Sequence, residues 1–331
     1  MPMTNALCFR HLPDPGGQFG KVRVWGTVGW MMSGLMLSVW LEQAQVFDYL
    51  ERHHGTWTGT LAYLRSITRS LPRPTESDCF RLSAILSFAL SSFCIFLPHT
   101  PPVKSTRKSL ALVAILGMFK NRTFSQLVLI SFLLAVLVVP LYSQAVPLLL
   151  TNLGTAANWV PTVMLVGQLS EFPSLLLMAI CLKRLGIKMT FALGMAAWAL
   201  RYALFSIGAS HGLISIGFAL KQVGIYAAAG VPHVLWWLVM LGLALHGVCH
   251  VFLIIVTQLY IDRNCPQDLR TSAQALLSFI TMGIGAPLGF LLGGLLHGWL
   301  AQDAAFLFAI PAIAAAALLV LYLRWFDDDD T

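Results

Sequence analysis

The stretch FSQLVLISFLLAVLVVPLYSQAVPLLL, residues 124–150, contains no Asp, Glu, Lys or Arg. As an α-helix its 27 residues reach about 40 Å, more than the roughly 30 Å hydrocarbon layer of a bilayer. An uncharged apolar run of that length reads as a membrane span. Comparable runs lie at Val22–Leu41, Leu82–Pro98, Trp159–Leu182, Met189–Gly208, His233–Tyr260, Thr271–Leu300 and Ala304–Trp325. The composition agrees. Hydrophobic residues make up 57% of the chain and charged residues 11%, with a mean hydropathy of +0.76; a soluble domain carries about 25% charged residues. Eight spans of about 20 residues each absorb most of that apolar supply and leave no sizeable soluble core. The expected fold class is all-α, a polytopic membrane protein with about eight transmembrane helices.

Two weaker segments separate these runs. Leu110–Phe119 is apolar but too short to span, and Arg107, Lys108, Lys120 and Arg122 flank it; it reads as an interfacial helix. Leu213–Gly230 is interrupted by Lys221 and several glycines, and fits a hairpin or re-entrant turn as well as a helix. Met1–Cys8 is too short for a signal peptide, with Pro13, Pro15, Gly16 and Gly17 close behind.

Net charge is +7, from 21 Lys+Arg and 14 Asp+Glu. In a membrane protein this surplus reports topology first. Basic residues fall before the first run (Arg10, Lys21), after the second (Lys104 to Arg122), after the fourth (Lys183, Arg184, Lys188) and after the sixth (Arg263, Arg270). The loops Thr151–Asn158 and Ala301–Asp303 have none. Both termini are therefore expected in the cytoplasm of a bacterial inner-membrane protein. The long loop 42–81 is mixed in charge and expected outside. No aromatic-interleaved basic patch points to nucleic acid. The six cysteines, with no C-x-x-C pair, suggest neither disulfide nor metal cluster, and no cofactor motif is present.

The expected organisation has four parts: residues 1–99, with two spans and the loop 42–81; a cytoplasmic loop, 100–123; a six-helix block, 124–326; and an acidic tail, 327–331. A six-span block behind a basic central loop looks like one half of a two-lobed transporter.

Within these spans a few polar residues stand out. Glu171 is the only carboxylate inside an expected span, and placing it at a helix centre costs about 2.5–3.5 kcal/mol. Gln168 lies three residues earlier on the same helical face. The pair serves either a solute or proton site or a structural lock between helices. Arg23, Thr27 and Trp30 form one stripe at i, i+4 and i+7. That stripe suits a flat polar ligand, although Arg23 snorkelling to the surface beside a packed Trp30 accounts for it equally. His246 and His250 share a face at i, i+4, where packing, a proton relay or, with a third ligand, a metal are the readings. Arg201 needs an acceptor, a helix-end carbonyl or a lipid phosphate. Gly285, Gly289 and Gly293 form a small-residue ridge with Pro287 between them, which is scaffold.

Several stretches, in order, resemble the nucleoside:proton symporter family of the major facilitator superfamily. They are KVRVWGTVGW (21–30), LPHTPP (97–102), GQLSE (167–171), LKRLGIK (182–188), AWALRYALF (197–205), and YIDR (260–263) with LRTSAQ (269–274). The resemblance implies a secondary transporter with a helical bundle in two lobes, working by alternating access. On the family's twelve-helix template the chain starts inside the fourth helix, and its eight spans match helices five to twelve. The implied partners are a small polar solute of nucleoside type, protons and the lipid bilayer. Arg23, Thr27, Trp30, Gln168 and Glu171 are then implied to bind the solute. Where the family's seventh helix offers Gln and Asn, this chain has Val139 and Tyr142. Where the tenth carries an aromatic followed by Asp, it has His250 and Val251. Tyr142 and His250 are thus the expected replacements, with Glu171 and His250 coupling to the proton. The alternative is a transport-inactive remnant with a binding or sensing role; a membrane-embedded enzyme would need a clustered catalytic pair, for which Glu171 with His250 is the sole candidate.

Overall fold

A computed structural model describes residues 7–8, 11–13, 15–52, 74–75, 77–98, 117–210, 231–266, 269–300 and 303–326. Leu213–Gly230, the acidic tail 327–331 and most of Leu110–Phe119 lie outside the described residues. Among the described ones the regular structure is helical: α1 Pro15–Arg52, α2 Asp78–Phe93, α3 Arg122–Leu137, α4 Val139–Asn152, α5 Val160–Leu169, α6 Glu171–Gly208, α7 Val231–Ala244, α8 His246–His250, α9 Val256–Asn264, α10 Arg270–Ser278, α11 Ala286–Trp299 and α12 Ala304–Trp325. Wide π-helical turns, Val251–Ile255 and Phe279–Gly285, join α8 to α9 and α10 to α11.

Among the described residues, seven helices are long and apolar enough to cross a membrane. They carry all eight expected spans, because one of them, Val160–Gly208, is 49 residues long. As a straight rod that helix would reach about 73 Å, far beyond any bilayer. It breaks at Gly186, where φ is 73° and ψ is −178°. Only glycine enters that conformation without a Cβ clash, so α6 consists of two arms, 171–185 and 187–208. The protein is an integral membrane protein.

Loop boundaries differ from expectation at two places. The loop expected from residue 42 starts later, since α1 continues to Arg52. No Gly or Pro falls between Gly34 and Gly55, and nothing else stops a helix there. Residues 53–73 lie outside the described ones. The central loop expected to run to Thr123 ends earlier. Asn121 accepts a hydrogen bond from the Phe124 N–H (3.0 Å) and starts α3 at Arg122.

The chain divides into two compact units, one holding residues 25–101 and 156–165 and the other the remainder. In the first, Asp78 at the start of α2 accepts from the Trp40 indole of α1 (2.8 Å), the Thr75 N–H (3.0 Å) and Arg81 (2.8 Å). Most apolar side chains of α2 face outward, Phe80 and Phe88 being 76% and 77% exposed, which suits lipid rather than water.

The second unit has a conventional core. Phe191, Tyr202 and Phe205 of α6 stack against Tyr322 and Phe308 of α12. Gln126 of α3 donates to the Trp325 carbonyl at the end of α12 (2.9 Å). The Tyr202 hydroxyl donates to the Val138 carbonyl, where the helix is broken just ahead of Pro140 between α3 and α4. The ridge packs as scaffold: Gly285 against Ala135, Gly289 against Val136 and Pro140, and Gly293 against Gln144.

Candidate functional site

Glu171 opens α6, one residue after α5 ends, and Ser170 between them keeps helical backbone angles. Helix α8 crosses at Ser170. A Cβ on Gly247 would collide with the Ser170 carbonyl, so only glycine permits this approach. The Gly247 N–H donates to Ser170 Oγ at 2.8 Å and fixes the crossing. The residues flanking Gly247 are thereby delivered to the carboxylate. His246 Nε2 stands 3.7 Å from Glu171 Oε1, and His250 Nδ1 stands 3.6 Å from the same oxygen. These are ion-pair separations rather than hydrogen bonds. The two imidazoles stack with centroids 5.7 Å apart, as i, i+4 neighbours on a helix do.

The other arm of α6 returns to the same place. Arg201, fully buried, donates from Nη1 to His246 Nδ1 at 2.9 Å. Glu171 and Arg201 would stand about 45 Å apart on a continuous helix; they meet one imidazole because the arms fold back at Gly186. The guanidinium lies 3.8 Å over the Tyr142 ring, with Trp198 and Phe205 at 5.1 and 5.4 Å. Such cation–π contacts contribute about 2 kcal/mol where the cation is desolvated. Tyr142 also stacks on His246 at 5.2 Å. The acceptor left open in the sequence is therefore an imidazole nitrogen within an aromatic cage, neither a helix-end carbonyl nor a lipid phosphate.

Three expected site residues, Glu171, His250 and Tyr142, thus join one cluster. Gln168 lies in the last turn of α5; its buried Oε1 has no hydrogen-bond partner among the described residues. Thr27 and Trp30 lie on α1 in the other unit, Thr27 partly exposed and Trp30 68% exposed. Arg23 is also on α1, but its side chain lies outside the described ones. His246, for which packing, a proton relay or a metal were the readings, and Arg201, expected only to need an acceptor, also belong to the cluster. Their signal was present: two opposite charges inside apolar spans need partners, and the i, i+4 histidines supply one.

His250 has a second outlook. It lines a cavity of 420 Å³ together with Trp198, Ser131, Gln258, Ser278 and Thr281. Among the described residues the walls are mainly apolar, with an amide, hydroxyls and one imidazole as polar points and no Lys, Arg, Asp or Glu. The arrangement can hold an uncharged flat solute beside a group that exchanges protons.

The sequence matches the nucleoside H+ symporter family over residues 1–54, 55–225 and 212–331. The chain belongs to that family. It is 28% identical to YegT of Escherichia coli (strain K12), named as a nucleoside transporter, over 99% of this chain and 69% of that protein. Identity to the xanthosine permease of Escherichia coli (strain K12) is 24%, over 91% of this chain and 63% of the permease. The chain thus spans about two thirds of the length of these relatives, which are a transporter and a permease rather than enzymes. The fold is similar to a crystal structure of the nucleoside transporter NupG, with a TM-score of 0.62 and 22% identity over 95% of this chain and 69% of that one.

Proposed function

We propose that this symporter-family chain carries a nucleoside across the bacterial inner membrane together with a proton, by alternating access of a major-facilitator bundle with both termini in the cytoplasm. One observation carries the reading: the Glu171 carboxylate, inside a span, stands within 3.7 Å of both His246 and His250. A carboxylate is retained at such depth where a solute or proton meets it. Glu171 and His250 form the proton-exchanging pair, and the cavity beside His250 receives the solute, with Gln168 and Tyr142 offering hydrogen-bonding atoms nearby. The lining supports a neutral solute, since no cation is present there for a phosphate. Arg23, Thr27 and Trp30 on α1 contribute further solute contacts, and the basic loops face the cytoplasm under the positive-inside rule.

The test is uptake of radiolabelled nucleosides into membrane vesicles under an imposed pH gradient. Accumulation that follows the gradient, collapses with an uncoupler and loses its pH dependence in Glu171→Gln supports the reading. Absence of gradient-driven uptake, or a Glu171→Gln variant with the pH response of the parent, refutes it.

A further inference from the structure

The cluster around His246 is more ordered than proton exchange by itself demands. A guanidinium has five N–H donors and no acceptor. The 2.9 Å contact between Arg201 Nη1 and His246 Nδ1 therefore makes Nδ1 an acceptor and excludes a proton from it. The ring is then neutral, its one proton sits on Nε2, and Nε2 is the nitrogen that points to Glu171. Ring rotation is restrained as well. Tyr142 and His250 both stack against His246, while Gly167 closes on it so tightly that an added Cβ would lie 3.1 Å from the His246 Cβ.

Charge tells the same story. Arg201 is fully buried, and a buried cation needs compensation. Among the described residues no carboxylate forms an ion pair with it. Glu171 lies across the imidazole, with Arg201 on the Nδ1 side and the carboxylate 3.7 Å from Nε2. We infer that Arg201 is a positioning residue: it fixes His246 as the neutral Nε2–H tautomer and acts through that ring as the counter-charge to Glu171, which leaves the Glu171–His250 edge to hold the transported proton. This inference rests on the proton-coupled reading given above.

Among the described residues, the ionisable groups around this edge are Glu171 and Arg201 from the two arms of α6, Tyr142 from α4, and His246, Cys249 and His250 from α8. His250 stands 3.6 Å through Nδ1 from the carboxylate and also lines the solute cavity, the position a group passing a proton between them requires.

The sign of the effect follows. The guanidinium occupies His246 Nδ1, and its charge opposes a second proton on that ring. Removing it frees Nδ1 to take a proton, so the pH response of uptake moves to the alkaline side. The experiment measures vesicle uptake of radiolabelled uridine against pH for the parent and Arg201→Gln. It is paired with ¹⁵N solid-state NMR of histidine-labelled parent protein in lipid. Expected are an alkaline shift of about one pH unit or more in Arg201→Gln, with KM for uridine changed less than about twofold. The NMR is expected to show one histidine as a non-titrating Nε2–H tautomer between about pH 5 and 8 while a second titrates.

A parent His246 that titrates in that range, or carries its proton on Nδ1, overturns the inference even if Arg201→Gln fails to fold. So does a folded Arg201→Gln with the parent pH profile. Glu171→Gln separates the two readings. If uptake in that variant still follows the pH gradient, the transport mechanism fails, while the NMR spectrum continues to decide the tautomer.

Discussion

Gly247 and Ser170 lie in direct backbone contact: the Gly247 N–H donates to Ser170 Oγ at 2.8 Å, and a Cβ on Gly247 would overlap the Ser170 carbonyl. This single approach sets the distance from α8 to the start of α6, and so brings both histidines to Glu171. Replacing Gly247 by Val forces the helices apart. The expected loss is at least the 1–3 kcal/mol typical of overpacking, read as a lower melting temperature of the detergent-purified protein. Uptake falls with it, because His246 and His250 withdraw from the carboxylate.

Tyr142 separates ring from hydroxyl. Its ring holds the Arg201 guanidinium at 3.8 Å, while its buried hydroxyl has no hydrogen-bond partner among the described residues. Tyr142→Phe is therefore expected to leave thermal stability unchanged or slightly raised, and to raise KM if the hydroxyl meets the solute. Tyr142→Leu discards the cation–π contact and is expected to cost about 0.5–2 kcal/mol. Melting curves and uptake kinetics on the two variants check both statements.

The glycine ridge offers an internal control. A Cβ at Gly289 would stand 2.5 Å from the Val136 carbonyl and the Pro140 ring, while one at Gly294 would meet nothing within 4 Å. Gly289→Ala is expected to destabilise by about 1–3 kcal/mol. Gly294→Ala is expected to be neutral or to stabilise by up to about 1 kcal/mol, the helix propensity difference. Equal melting temperatures for the two variants would contradict this packing.

In the smaller unit, Asp78 is 8% exposed and accepts from Trp40, Thr75 and Arg81. Asp78→Ala strands the Trp40 indole N–H and releases α2 from α1. The expected cost is about 1–3 kcal/mol for the unsatisfied donor, seen as increased protease cleavage near residues 74–81. Asp78→Asn keeps one acceptor oxygen and is expected to lose less.

Much of the fold was legible because hydropathy and helix length are sums over neighbouring residues. The runs 124–150 and 304–325 announce spans without reference to anything else in the chain, and Lys183, Arg184 and Lys188 mark the junction that Gly186 turns. The end of α1 was misplaced because a helix leaving the membrane keeps going until a breaker stops it, and polarity is not a breaker. Intramembrane Glu171 flagged itself by its cost in hydrocarbon.

The partners of that carboxylate were another matter. Sequence alone determined that Glu171, Arg201, His246 and His250 sit in apolar spans and must be compensated there. Which of them meet, and through which nitrogen, was decided by two glycines: Gly186, which returns Arg201 to the level of Glu171, and Gly247, which lets α8 lie against Ser170. Local spacing fixes the face a residue occupies on its own helix. The approach of one helix to another depends on the shapes of both surfaces, and only the packed structure contains both.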